Sequence, residues 1–126
     1  NVYQVTLPVV DGEVTILPKH RSYIAALKPG EIIYKKNKGS KEEENLAIAG
    51  GFVEFHKNRL VVLSDEAARA DEIDLEKAEE ARKRAEDLKN RVIQGAEGEF
   101  AHVAATLERE LVKIRVAKKY ISRRGF

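Results

Sequence analysis

Along the first half of this chain the apolar positions come in short runs of four to six residues, and along the second half they recur at every third or fourth residue. Residues 2–7, 14–17, 31–34, 46–49, 52–55 and 60–63 are rich in Val, Ile, Leu, Tyr and Phe, which suit a pleated and half-buried surface, so each is predicted as a strand. Asp11-Gly12, Lys28-Pro29-Gly30, Lys38-Gly39-Ser40 and Lys57-Asn58 punctuate them as turns. Short strands cannot bury a face singly, so these six are expected to close into a small antiparallel sandwich or barrel. Gly50-Gly51, between two of them, fits a bulge or a close approach of backbones better than a phosphate cradle.

Beyond Leu63 the period changes. Leu75, Ala78, Ala81, Ala85, Leu88 and Val92 line one face of a helix, with Asp74 as its expected N-cap. The run ends near residues 94–98, where Gly95 and Gly98 permit a reversal. A second stripe follows in Phe100, Val103, Ala104, Leu107, Leu111, Ile114, Ala117 and Ile121. Two helices joined so briefly are expected to lie antiparallel, giving an all-β domain over residues 1–73 and a helical hairpin over 74–126. Much of the first stripe is Ala, and at roughly 25 cal/mol per Å² of buried apolar surface Ala docks weakly, so a hairpin able to leave its resting place is expected.

Charge sharpens this picture. Residues 65–90 hold six basic and ten acidic groups, and 91–126 hold eight basic and four acidic. Antiparallel packing sets the two signs against each other and leaves a basic tip in Arg115, Lys118, Lys119, Arg123 and Arg124. Over the whole chain 23 Lys and Arg stand against 21 Asp and Glu, so a net charge of +2 argues against a protein that tracks nucleic acid phosphates. No apolar run reaches the length of a membrane span, although work beside a membrane stays open. The absence of Met at residue 1 points to a processed, trimmed or partial chain.

Little in the sequence nominates catalysis. With no Cys, thiolate nucleophiles and cysteine metal sites are excluded. His20, His56 and His102 fall in three separate predicted elements, so no metal site is expected, and acid pairs such as Asp71 and Asp74 read as a solvated helix face. No Walker loop or dinucleotide fingerprint is present, and no cofactor is expected. Gly12 and Pro18 bracket a short strand, and Pro18-Lys19-His20 would present polar atoms at one end of the sandwich, either as a plain turn or as a loop that docks on a partner.

The order of these features resembles the epsilon subunit family of the bacterial F-type ATP synthase, called delta in mitochondria. The resemblance rests on Gly12-Glu13, the strand from Val14 to Ile16, Leu17-Pro18-Lys19-His20 and Ala26-Leu27-Lys28-Pro29-Gly30. It continues through Ala49-Gly50-Gly51-Phe52-Val53-Glu54 and the junction 61–74 into the helices. It implies a non-catalytic rotor subunit of the central stalk, peripheral to the cytoplasmic face of a bacterial cell membrane. The sandwich would bind the gamma subunit, and Glu13, Val14, Thr15, Ile16 and His20 would meet the membrane c-ring. The hairpin would either fold on the sandwich or extend toward the alpha and beta subunits and inhibit ATP hydrolysis, with Arg115, Lys118, Lys119, Arg123 and Arg124 facing acidic regions of beta.

Two departures qualify the match. Members of the family begin further upstream with additional strands, so a half-sandwich starting at Asn1 is expected to have an unpaired edge. Some members bind ATP in the hairpin through an Ile/Leu-Asp-x-x-Arg-Ala motif, and here Glu99 replaces the Asp and His102 the Arg. A largely neutral His lacks the fixed donor fork of Arg, which argues against ATP sensing. Two other readings of the residues stay open: a β-sandwich binding module with a coiled-coil dimerisation tail, and a small hydrolase, for which no convergent polar pocket can be assembled.

Overall fold

The computed structural model describes the backbone of residues 1–92 and 97–123, and the side chains of these except 92, 97–100 and 123. Among the described residues, six strands form an antiparallel sandwich: β1 (Gln4–Val9), β2 (Gly12–Ile16), β3 (Tyr23–Lys35), β4 (Glu44–His56), β5 (Arg59–Leu63) and β6 (Ala67–Arg69). The order is β2-β1-β3-β4-β5, with β6 beside β4. Val5, Leu7, Val9, Ile16, Leu27, Ile32, Ile48, Val53 and Phe55 make its core.

The expected turn at Lys28-Pro29-Gly30 is corrected by the structure. β3 and β4 form one continuous ribbon from Tyr23 opposite Phe55 to Tyr34 opposite Glu44, with Pro29 paired to Ala49 in its middle. The residues read as a turn make a corner instead. Against β1, β3 uses six steps from Leu27 to Ile33 where β1 uses three from Val9 to Thr6. The inward-facing positions change parity there, from Leu27 to Ile32 on β3 and from Ile48 to Val53 on β4, so each strand passes from one layer to the other. Gly50 and Gly51 carry β4 round the corner at φ of 99° and 135°. A Cβ on Gly51 would run into the carbonyl oxygen of Leu63, the close approach expected of this pair. Lys57 and Asn58, at φ of 49° and 61°, close the two-residue turn between β4 and β5.

Residues 64–73 hold two elements that the hydrophobic pattern did not reveal. β6 lays Ala67, Ala68 and Arg69 against Ile48, Ala47 and Leu46, and a single 3₁₀ turn follows over Ala70–Glu72. Asp74 then caps α1 (Leu75–Val92) as expected, its Oδ1 accepting from the backbone N–H of Lys77 at 3.2 Å. α2 (Glu97–Arg123) starts earlier than expected, since Glu97 and Gly98 are its first residues; Gln94 and Gly95 lie outside the described residues.

The helices form the expected antiparallel hairpin. Glu79 of α1 meets Lys118 near the end of α2 at 3.6 Å, whereas Arg84, Ala85 and Leu88 stand across from His102, Val103 and Thr106 near its start. α2 also buries a stripe absent from the predicted one: Val112 and Val116 pack with Ala47 and Ala70, flanked by Ile73 and Tyr120. Through this small cluster α2 docks on the outer face of β3 and β4 and on the 3₁₀ turn over Ala70–Glu72.

Candidate functional site

Three surfaces of this scaffold hold the candidate residues. The first is the outer face of β3, β4 and β5. Inward alternation of Tyr23, Ala25 and Leu27, of Val53 and Phe55, and of Leu60 and Val62 forces Ile24, Phe52, Val61 and Leu63 outward. Phe52 lies directly opposite Ala26 on one side and Leu63 on the other, and in the next row Glu54 stands between Ile24 and Val61. Ile24 is 73% exposed, Phe52 60% and Leu63 68%, a contiguous apolar strip with a single carboxylate inside it. Phe52, Val61 and Leu63 fall in predicted strands, and Ile24 lies outside them. A run of four apolar residues does not say which alternate positions face out.

The second surface is the edge strand β2 and the turn that follows it. Glu13 and Thr15 are exposed, with the Thr15 hydroxyl 2.8 Å from that of Thr6, but Val14 is packed against the core and Ile16 belongs to it. Of the residues expected to meet a partner here, Ile16 is therefore out of reach. His20 sits beyond the opposite end of β2 from Glu13, half-buried and edge-on to Tyr23 and Phe55 at 6.1 and 5.9 Å. Its turn closes through the His20 N–H donating to the Leu17 carbonyl at 3.1 Å. The Lys19 N–H donates to Asn58 Oδ1 at 3.0 Å, which ties this turn to the one between β4 and β5. His56 is nearby as well, its Nδ1 2.9 Å from the Ser22 hydroxyl.

The third surface is α2. Arg115 is exposed, while Lys118 reaches Glu79 and Lys119 donates to Glu31 Oε1 at 2.8 Å. The Arg123 side chain and Arg124 lie outside what is described. The second oxygen of Glu31 accepts from Asn45 Nδ2 at 3.1 Å, so strand β3, strand β4 and helix α2 meet at one carboxylate. Six residues earlier, Lys113 pairs with Glu66 of the sandwich and with Glu110 of its own helix. Burial works against the Lys113 ammonium, but the bond to Glu66 and the charges of Glu110 and Glu66 outweigh it and hold its pKa above the ordinary lysine value.

Between the helices lies a cavity of about 310 Å³, lined by Ala81, Ala85, Leu88 and Val103 with Arg84, His102 and Thr106 at its polar margin. His102 is thus placed on the hairpin seam, its carbonyl accepting from Thr106 Oγ1 at 3.0 Å; the side chain of Glu99 lies outside the described residues. Among those residues no helix is long and apolar enough to cross a membrane.

A β-sandwich that exposes an apolar strip, with a charged helical hairpin docked through one helix, defines a protein built for assembly with other chains. Comparison with known proteins places it. The beta-sandwich domain of the ATP synthase delta/epsilon chain matches residues 1–70, and the long alpha-helix domain of the same chain matches residues 71–118. The ATP synthase epsilon chain of Dehalococcoides mccartyi is 41% identical over 116 residues, covering 91% of this chain and 79% of the relative. That of Herpetosiphon aurantiacus is 43% identical over 118 residues, covering 93% and 82%. A chain in the cryo-EM structure of the Euglena gracilis mitochondrial ATP synthase, described as OSCP/F1/c-ring, shares the fold at a TM-score of 0.70 and 24% identity. There 85% of the present chain is matched, and it spans 64% of its counterpart. The chain belongs to the ATP synthase delta/epsilon family, whose bacterial relatives are named epsilon chains.

Proposed function

We propose that this chain is a non-catalytic subunit of the central stalk, coupling gamma to the c-ring in proton-driven ATP synthesis, and that its helices inhibit ATP hydrolysis. The observation that carries the reading is the strip of Ile24, Phe52, Val61 and Leu63, apolar and exposed on a rigid sheet. A surface of this kind is costly to leave in water and suits a constant partner, which we take to be gamma. The family match over both domains and the c-ring assembly in which the Euglena chain sits support it.

Contact with the c-ring falls to Glu13 and Thr15 on the β2 edge and to His20 on the turn beyond it, the accessible members of that group. Val14 and Ile16 support them from the core side. On release of the hairpin, Arg115, Lys118 and Lys119, with Arg123 and Arg124, meet acidic surfaces of the alpha and beta subunits. The β domain of residues 1–73 thus anchors and the hairpin of 74–126 brakes, and the chain works peripherally at the cytoplasmic face of the bacterial cell membrane. Neither a metal nor a cofactor takes part in this role.

The test is co-elution of the full chain with a purified alpha-beta-gamma complex on a sizing column. Stoichiometric co-elution supports the assignment, and elution of the chain alone overturns it.

A further inference from the structure

The lysine that would meet an acidic partner is already held by an acidic group of this chain. Lys119 Nζ donates to Glu31 Oε1 at 2.8 Å, and Glu31 Oε2 is fixed by Asn45 Nδ2 at 3.1 Å. Glu31 is 14% exposed at the side chain and Asn45 7% overall, so the acceptor is set in the sheet before the lysine arrives. Lys119 keeps 40% of its side chain in solvent, and water and salt reach it. Glu31 and Ala47 are paired across β3 and β4, which puts the carboxylate beside the floor on which Val112 and Val116 pack. That apolar cluster is small, and two of its four buried members are Ala. At about 25 cal/mol per Å² it leaves a large share of the docking to the ionic contacts at Lys113 and Lys119.

We propose that Glu31 is an internal acidic decoy: with Asn45 it clasps Lys119, holds α2 on the sandwich, and masks that lysine from any acidic partner surface. Docking and partner binding then compete for one ammonium, and the clasp sets how often α2 lifts. Its partly exposed side makes it salt-sensitive, because screening weakens the pair while the apolar cluster is unaffected. The masking half rests on the proposed function, and the clasp half does not.

The chain has no cysteine, so single thiols report opening cleanly. In the full chain, Ala70→Cys places a thiol under α2, and Val53→Cys, made separately, places one in the sandwich core. The rate at which a disulfide reagent labels each thiol measures lifting of the helix and global unfolding respectively. Glu31→Gln and Lys119→Gln should each raise the labelling rate of the thiol under α2 about tenfold, the effect of losing one charge-assisted bond, and leave that of the core thiol unchanged. The exchanged pair Glu31→Lys with Lys119→Glu should return it to within about twofold of the parent. High salt should accelerate the parent more than it does the single variants, which keep only the Lys113 contacts. An unchanged rate for the thiol under α2 in both single variants, or equal acceleration at both thiols, overturns the clasp. Poly-L-glutamate serves as the probe of masking: Glu31→Gln should bind it several-fold more tightly than the parent. Equal binding by a variant whose helix demonstrably lifts overturns the masking while the clasp stands, and the subunit assignment is tested apart from it by co-elution with the alpha-beta-gamma complex.

Discussion

Phe52 on β4 lies directly opposite Leu63 on β5, and both side chains point away from the core into solvent. Their exposure means that neither contributes much to the stability of the isolated chain. Phe52→Ser should therefore leave the urea midpoint almost unmoved, within about 0.5 kcal/mol of stability. The same change should weaken binding to gamma by about tenfold or more, as loss of a central aromatic anchor does. Equilibrium unfolding and titration calorimetry on one protein preparation read both. A large loss of stability with intact binding would show the strip to be structural.

Gly51 presents the opposite case, a position where the backbone itself is the constraint. Its φ of 135° and the Leu63 carbonyl that a Cβ would strike make Gly51→Ala a strained variant. It should cost at least about 2 kcal/mol in denaturant unfolding. Because the corner orients both Phe52 and Leu63, the variant should also lose gamma binding, here through misplacement of the sheet, whereas Phe52→Ser loses it through removal of the contact itself.

The strands and helices were legible where one local signal dominated, and were missed where a distant contact decided. Branched and aromatic runs marked β1, β2, β4 and β5, and Asp74 with the spacing of Leu75, Ala78 and Ala85 marked α1. Lys28-Pro29-Gly30 carries turn chemistry, but its pairing to Ala49 across the ribbon overrides it and makes a corner. β6 has no hydrophobic run, because Ala67-Ala68-Arg69 takes its place by pairing with β4. Val112 and Val116 repeat at helical spacing with Tyr120 and could have been read as a second stripe. The stronger stripe through Ile114 and Ala117 concealed it. The order of motifs singles out the Pro18-Lys19-His20 turn as a candidate, whereas the outer strip needs knowledge of which alternate positions face in. Glu31 and Lys119 lie 88 residues apart, and nothing in the sequence joins them.

Asp74 fixes where the helical region begins. Removing its side-chain acceptor in Asp74→Ala frees the Lys77 N–H and should destabilise α1 by about 1 kcal/mol. Far-UV circular dichroism during thermal unfolding should show earlier loss of helix, and Asp74→Asn should recover most of it.

Docking should also depend on pH through Lys113. Its folded-state pKa is raised above 10.5, so the stabilisation it brings is fully present below that value and is lost as pH rises through the folded pKa. The stability advantage of the parent over Lys113→Gln in urea should be constant up to about pH 10 and shrink above it. An advantage that grows with pH would contradict the pairing with Glu66 and Glu110.

The measurement closest to the central claim is ATP hydrolysis by an alpha-beta-gamma complex, alone, with the full chain, and with a chain ending at Asp74 whose sheet is first shown intact by circular dichroism. The full chain should bind and suppress hydrolysis, and the shortened chain should bind without suppressing it. Equal suppression by both would remove the hairpin as the brake. Failure of both to bind would contradict the sandwich as the anchor on gamma.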